Sequence, residues 1–151
     1  MPLLIRRAVP GDARILVEYN RRMARETEGK DLSMEVLGAG VAAALADERK
    51  ALYFVAEEDG AVLGQMMITR EWSDWRNGWI WWIQSVYVRA DARRRGVFRA
   101  LYEHVYQVAS QDPEIIGLRL YVERENLVAQ QTYLGLGMEQ TSYLLFERCP
   151  L

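Results

Sequence analysis

Apolar positions along this chain change period several times, and each change marks an element. Leu3 to Arg7 reads as a short strand. Pro10-Gly11-Asp12 offers a turn and a helix start, and Ile15, Leu16, Tyr19 and Met23 then recur at helical spacing to about Glu26. Ser33 can cap a second helix that carries Val36, Leu37, Val41 and Leu45 on one face, although Gly38 and Gly40 weaken it. Ala51 to Glu57 alternates as a strand, Asp59-Gly60 is a hairpin signal, and Val62 to Trp72 is the return strand. Asn77-Gly78 marks another reversal before a long strand from Trp79 to Val88.

Beyond residue 88 the period becomes helical. Phe98, Leu101, Tyr102, Val105 and Val108 fit one helix over 96–110, which Pro113 closes. Leu118 to Val122 alternates as a strand, Asn126 to Leu136 reads as a short helix stopped by Gly135 and Gly137, and Met138 to Glu147 reads as a final strand. Strand, helix, strand over 79–122 implies a parallel crossover of right-handed sense. The expected fold class is therefore α/β with an α+β mixed sheet: mostly antiparallel, with one parallel β-α-β unit and flanking helices. With 151 residues and no linker or repeat, a single domain over 1–151 is expected.

Composition narrows the function classes. Half the residues are hydrophobic, enough to bury a core, and no apolar run approaches the roughly 20 residues of a membrane span. The start, Met1 to Arg7, puts charges where a secretion signal needs apolar residues, so a cytoplasmic protein without a membrane partner is expected. One cysteine, Cys149, and one histidine, His104, exclude an internal disulfide, a Cys-rich metal site and a multi-histidine cluster, so no metal is expected. His104 is expected to be exposed and inert. A net charge of −2 argues against a nucleic-acid partner. Yet Arg89, Arg93, Arg94, Arg95 and Arg99 cluster with Asp91 as the one acid among them.

That cluster sits in the most informative segment. A strand ending Val86-Tyr87-Val88 leads through an arginine loop into a helix whose first turn begins at Gly96. A helix start leaves about four backbone N–H groups outside the ladder and carries partial positive charge. Glycine there lets an anion reach the main chain, which suits a phosphate or pyrophosphate. A solvated basic helix start without ligand reads equally well from these residues alone.

The same residues resemble the GNAT family, the GCN5-related N-acetyltransferases. Arg93-Arg94-Arg95-Gly96-Val97-Phe98 matches the first four positions of that family's [QR]-x-x-G-x-[GA] loop, and Phe98 departs from the last. Val86-Tyr87-Val88 matches its hydrophobic L-x-V strand. The later N-x-x-A-x-x-x-Y motif is present as Asn126, Ala129 and Tyr133, followed by Gly137-Met138. The order of elements is also the family's. By its phase with Leu101, Tyr102 and Val105, Phe98 is expected to turn its ring into the helix–sheet core.

The resemblance implies acetyl-CoA as co-substrate and a primary amine, small-molecule rather than peptide, as acceptor, with direct attack in a ternary complex. It implies that the main chain of Val86 and Val88 pairs with the pantetheine arm and that Arg93, Arg94, Arg95, Gly96, Val97, Phe98 and Arg99 surround the pyrophosphate. Asn126 and Ala129 belong to the cofactor side, and Tyr133 is the implied acid for the departing thiolate. The central strand offers Gln84 and Ser85 where the family usually has a glutamate, so the general base stays open among Glu26, Glu28, Glu71 and Asp74. Trp72 and Trp75 either line an acceptor pocket, with Glu26, Glu28 and Gln84 as its other candidates, or pack the hairpin. A homodimer would use the sheet edge or that tryptophan hairpin. The competing reading is a GNAT-like domain that binds acyl-CoA without turnover, as a sensor or structural partner.

Overall fold

The computed structural model of the chain describes residues 2–151. Two compact units are present, one ending at Leu120 and the other running Tyr121–Leu151. The first contains a five-stranded sheet in the order β1-β2-β3-β4-β5. Its strands are β1 (Leu4–Arg7), β2 (Leu52–Glu58), β3 (Ala61–Ser73), β4 (Gly78–Val88) and β5 (Ile115–Arg119). The first four are antiparallel neighbours, and β5 lies parallel to β4. Helices α1 (Ala13–Glu28) and α2 (Met34–Ala46) precede β2, and α3 (Val97–Ser110) makes the crossover to β5. The mixed sheet with one parallel β-α-β unit is the architecture expected from the sequence.

Local chemistry explains the connections. Asp59 and Gly60 both adopt positive φ, 52° and 79°, which is what a two-residue hairpin turn between twisted strands requires. Ser33 caps α2 by accepting the Val36 N–H at 3.3 Å. Alternation in the strands then feeds two faces. Leu16 and Val41 of the helices pack with Tyr53 and Val55 on one face, joined by Leu37, Leu45, Val62 and Met67. Phe54, Met66 and Ile68 have the opposite parity and are buried with Val97, Leu101 and Val105 of α3.

β4 carries the irregularity that matters most for a site. Its pairing with β3 steps from Met67↔Gln84 to Gln65↔Tyr87, so Ser85 and Val86 together oppose Met66. Ser85 absorbs this bulge with φ of +50°. On its other edge β4 pairs with β5 only over Trp79–Trp82. From Ile83 to Val88 that edge has no ladder partner among the described residues. The expected strand over 118–122 is shifted: β5 is Ile115–Arg119 because pairing starts at Trp79↔Ile115 and ends at Trp82↔Arg119.

The second unit holds α4 (Leu127–Gly135), with Asn126 at its N-cap. The expected strand over 138–147 is not formed, and residues 139–151 are exposed throughout. Tyr143, Leu144, Leu145 and Phe146 have strand-forming side chains. A strand nevertheless needs a ladder partner for its backbone groups, and this segment pairs with none of the described residues.

Candidate active site

The loop after β4 is built from unusual backbone angles. Residues Ala90–Ala92 form a single 3₁₀ turn with Ala92 fully buried. Arg94 then takes φ of +64° and Gly96 φ of +80°, and Gly96 caps α3. The helical ladder begins where the Ala100 N–H donates to the Gly96 carbonyl at 2.9 Å. The first-turn amides, from Val97 onward, lie outside that ladder. A Cβ built on Gly96 would meet no protein atom within 4 Å. The glycine therefore answers to its backbone angle and to open space on the solvent side, as close approach of an anion requires.

Beneath the loop the packing differs from the expectation for Phe98. Val97 is the buried residue of the first turn, and Phe98 is half-buried with its ring 6.3 Å from that of Tyr102. The helix turns Val97 rather than Phe98 toward the sheet, so Phe98 lies on the rim of the core.

The arginine cluster is mostly paired with acids. Arg89 Nε donates to Asp91 at 2.5 Å, Arg95 to Glu58 of β2 at 2.8 Å, and Arg99 to Glu103 one turn on at 2.9 Å. Arg93 Nη2 donates to Glu26 at the end of α1 at 2.9 Å. Arg94, exposed, has no ion pair among the described residues. Five arginines therefore leave one uncommitted cation beside the exposed amides.

Arg93 makes further contacts. The Arg89 N–H donates to the Leu63 carbonyl of β3 at 2.8 Å, so strand alternation turns the Val88 carbonyl to the other edge. There Arg93 Nε donates to it at 2.9 Å. The guanidinium also lies 5.3 Å from the centre of the Tyr87 ring. The Tyr87 hydroxyl in turn donates to the second Glu26 oxygen at 2.5 Å. These donors, Tyr87 first and then Arg93, hold the Glu26 carboxyl below its ordinary range. Burial and the adjacent carboxylate push the Tyr87 phenol up. Glu26, expected on the acceptor side, is thus tied to the loop. Glu28 instead faces Lys30 at 3.6 Å on the surface.

A second polar group underlies the bulge. Gln65 is completely buried, and its Nε2 donates to the Ser85 carbonyl at 2.9 Å. Its Oε1 is buried without a partner. Tyr53 is also buried, and burial raises the pKa of its phenol. Neither Gln65 nor Tyr53 stands out in the sequence, because both sit in ordinary strand alternation.

The remaining candidates are placed as follows. Gln84 Nε2 donates to Thr69 at 2.6 Å across the β3–β4 ladder. Trp72 packs edge-on against Trp79 at 5.0 Å and is partly exposed, whereas Trp75 is 89% exposed. Glu71 accepts from the Trp82 indole at 2.8 Å and from Arg119 at 3.2 Å. The Asp74 carboxylate accepts the Trp75 N–H. His104 is not exposed: it is half-buried, edge-on to Phe54 at 5.6 Å, because it shares the sheet-facing side of α3 with Leu101 and Val105. In the second unit the Asn126 side chain accepts the Ala129 N–H at 3.2 Å, so the N-x-x-A spacing is a helix N-cap. Tyr133, half-buried in α4, has its phenol pushed up by burial. Among the described residues no three His, Cys, Asp or Glu groups converge as metal ligands, and no helix is long and apolar enough to cross a membrane.

Comparison with known proteins shows the family of the chain. Residues 16–138 match the Acetyltransferase (GNAT) family. A possible acetyltransferase from Clostridium difficile 630 is 44% identical with a TM-score of 0.94, covering 100% of this chain and 99% of its own. Two more distant structures share the fold. One, a predicted acetyltransferase with acetyl-CoA from Clostridium acetobutylicum, is 18% identical, with a TM-score of 0.79 and coverage of 97% and 96%. The other, an aminoglycoside acetyltransferase from an uncultured soil metagenomic sample, is 16% identical, with a TM-score of 0.74 and coverage of 100% and 99%. No curated protein matches the sequence. With four-fifths of its length matching the family and a full-length relative of high identity, this chain belongs to the GNAT acetyltransferases.

Proposed function

We propose that this protein moves the acetyl group of acetyl-CoA to a primary amine on a small molecule, by direct attack in a ternary complex. The observation that carries the reading is the continuity of two features. The β4 edge from Ile83 to Val88 lacks a ladder partner among the described residues, and it runs into exposed amides at Gly96. An extended amide-bearing arm can pair with such an edge as an added strand, while a pyrophosphate at its end takes the helix start. Val86 and Val88 would supply main-chain partners, although the Val88 carbonyl already accepts from Arg93. Arg94 is the arginine available to a phosphate, and Arg95 and Arg99 reach one only by leaving their acids. Asn126 and Ala129 act by setting the start of the helix that carries Tyr133.

The chemistry assigned to these residues is acyl transfer. The amine nitrogen bonds to the thioester carbon, the carbon–sulfur bond breaks, and the sulfur leaves as a thiolate with a reference pKa of about 8.5. Tyr133 is the proposed proton donor, from its place in the family motif, and its raised pKa keeps it protonated at neutral pH. Gln84 has no basic function, and Glu26 and Glu71 are engaged by donors, so the amine's proton passes to water or to one of the two other candidates, Glu28 and Asp74, in this scheme. A cytoplasmic location and a homodimer are part of the same proposal.

One observation favours a second reading, acyl-CoA binding without turnover: the central strand carries Gln84 and Ser85 where the family usually has a glutamate. A single experiment separates them. Calorimetry with CoA is followed by a thiol-release assay with acetyl-CoA over a panel of small primary amines and short peptides. Binding with amine-dependent thiol release supports the transferase, and release with peptides alone removes the small-molecule preference. Binding without release for any amine supports the second reading, and no binding overturns both.

A further inference from the structure

The Glu26–Tyr87–Arg93 group has geometry that the family motif does not explain. The motif assigns Arg93 to the phosphate loop, yet its guanidinium is engaged by protein groups of β4 and α1. One nitrogen is on the Val88 carbonyl, another on a Glu26 oxygen, and its plane lies near the Tyr87 ring. The other Glu26 oxygen is taken by the Tyr87 hydroxyl at 2.5 Å. Tyr87 is itself fixed: it is 6% exposed, and its ring lies 5.2 Å from Tyr19 of α1. Arg22 is the other charged group close enough to act on Glu26. Three elements, α1, β4 and the loop, thus meet at one carboxylate.

We propose that Glu26 is a positioning residue for cofactor binding: its carboxylate, oriented by Tyr87, draws Arg93 onto the Val88 carbonyl and thereby presets the loop that presents the Gly96 amides. Arg93 is then a strut of the cradle and not a phosphate ligand. A residue that follows β4 and is pinned at both its backbone neighbour and its side chain enters the Arg94 turn from one direction. The left-handed angles at Arg94 and Gly96 depend on that entry. Preset donors bind an anion without the cost of ordering the loop at the moment of binding. This proposal rests on the reading of residues 93–99 as the CoA phosphate cradle.

The two roles for Arg93 predict opposite signs, which makes the test sharp. CoA is the probe, binding is measured by calorimetry, and melting temperature is recorded for every variant. Glu26→Gln keeps the size of the side chain but releases Arg93. If Arg93 is a strut, CoA binding weakens about threefold to tenfold, the range for loss of one partly exposed charge-assisted contact. If Arg93 is a phosphate ligand held in reserve, its release tightens binding, and the proposal is overturned. Tyr87→Phe should weaken binding in the same direction by a smaller factor. Arg93→Gln and the Glu26→Gln/Arg93→Gln pair should have equal affinity, because each residue acts through the other.

A readout free of global stability comes from amide NMR on the CoA-free protein. Glu26→Gln should shift the backbone resonances of Arg94 to Arg99 while leaving those of β1 and β2 in place. Unchanged loop resonances with unchanged affinity would also overturn the proposal. If the wild-type protein itself fails to bind CoA, the reading of the cradle falls, and this inference falls with it. If the wild type binds and Glu26→Gln binds equally well or better, only the inference fails.

Discussion

A methyl group placed on Gly64 would come within 3.0 Å of Val97 Cγ1 and 3.1 Å of the Tyr87 carbonyl oxygen. The first turn of α3, whose amides are proposed to hold the phosphate, therefore packs directly on the backbone of β3 through the Val97 side chain. Gly64→Ala should lower stability, because the Tyr87 carbonyl is held in the β3–β4 ladder and Val97 is 3% exposed, with little room to retreat. Overpacking of this kind costs about 1–3 kcal/mol. Chemical denaturation reads it as a lower midpoint at constant slope. Adding Val97→Ala should recover part of the loss, giving a sum smaller than the two single effects. An unchanged midpoint for Gly64→Ala would mean that α3 stands off the sheet more than its contacts indicate.

Gly96 calls for a different argument, since nothing crowds it. With φ of +80° and open space around its missing Cβ, Gly96→Ala should cost stability only through backbone strain, about 1 kcal/mol. Its effect on CoA binding should be larger than that, because the new methyl group projects where the ligand is proposed to lie. Calorimetry with CoA beside a denaturation curve checks the difference. Equal losses in both would place the ligand away from Gly96.

Much of this architecture was legible because it depends on local chemistry. Asp59-Gly60 declares a turn because both positions need positive φ, and Asn126 declares a helix start because its side chain can reach the third amide on. Neither the β4 bulge nor its consequences could be read. Ser85 is an unremarkable strand residue until the register of β3 forces two residues opposite Met66. The Glu26–Arg93 contact joins residues 67 positions apart, and no local pattern encodes it. The 138–147 segment shows the converse, in which apolar residues with good strand propensity form no strand without a partner edge. His104 is polar by type, yet its position on α3 places it against Phe54 whatever its polarity.

Acid should find the weak point of the first unit at Arg6. Its two terminal nitrogens reach the two Asp12 oxygens at 2.8 and 3.0 Å, and one also reaches Glu57 at 3.1 Å. Asp12 also accepts the Val9 N–H at 2.7 Å. The Arg6 hydrogen bonds are the largest influence holding the Asp12 carboxyl below its ordinary value, against an opposing effect of burial. A carboxylate with a depressed folded pKa contributes stability that is complete above its unfolded value. That contribution drains as pH falls below about 3.9 toward the folded value. Asp12→Asn should therefore cost about 1.5–3 kcal/mol at neutral pH and flatten the stability curve on its acid side. Parallel acid limbs for variant and wild type would show that another carboxylate controls the acid loss.

Tyr133→Phe tests the last chemical step without removing the ring. Burial pushes this phenol up, so it is protonated throughout the neutral range and is suited to give a proton or a hydrogen bond to a departing thiolate. The substitution should leave CoA affinity within about twofold and lower turnover about 10²-fold or more, the usual scale of a positioned acid. The loss should be greatest at neutral pH and shrink as pH approaches the thiol's own value of about 8.5, where the leaving group needs less help. Steady-state thiol release between pH 6 and 9, set against CoA binding by calorimetry, gives both quantities for the same preparation. A variant that turns over like the wild type at every pH would move the acid role off Tyr133 and leave its ring as a packing element of α4.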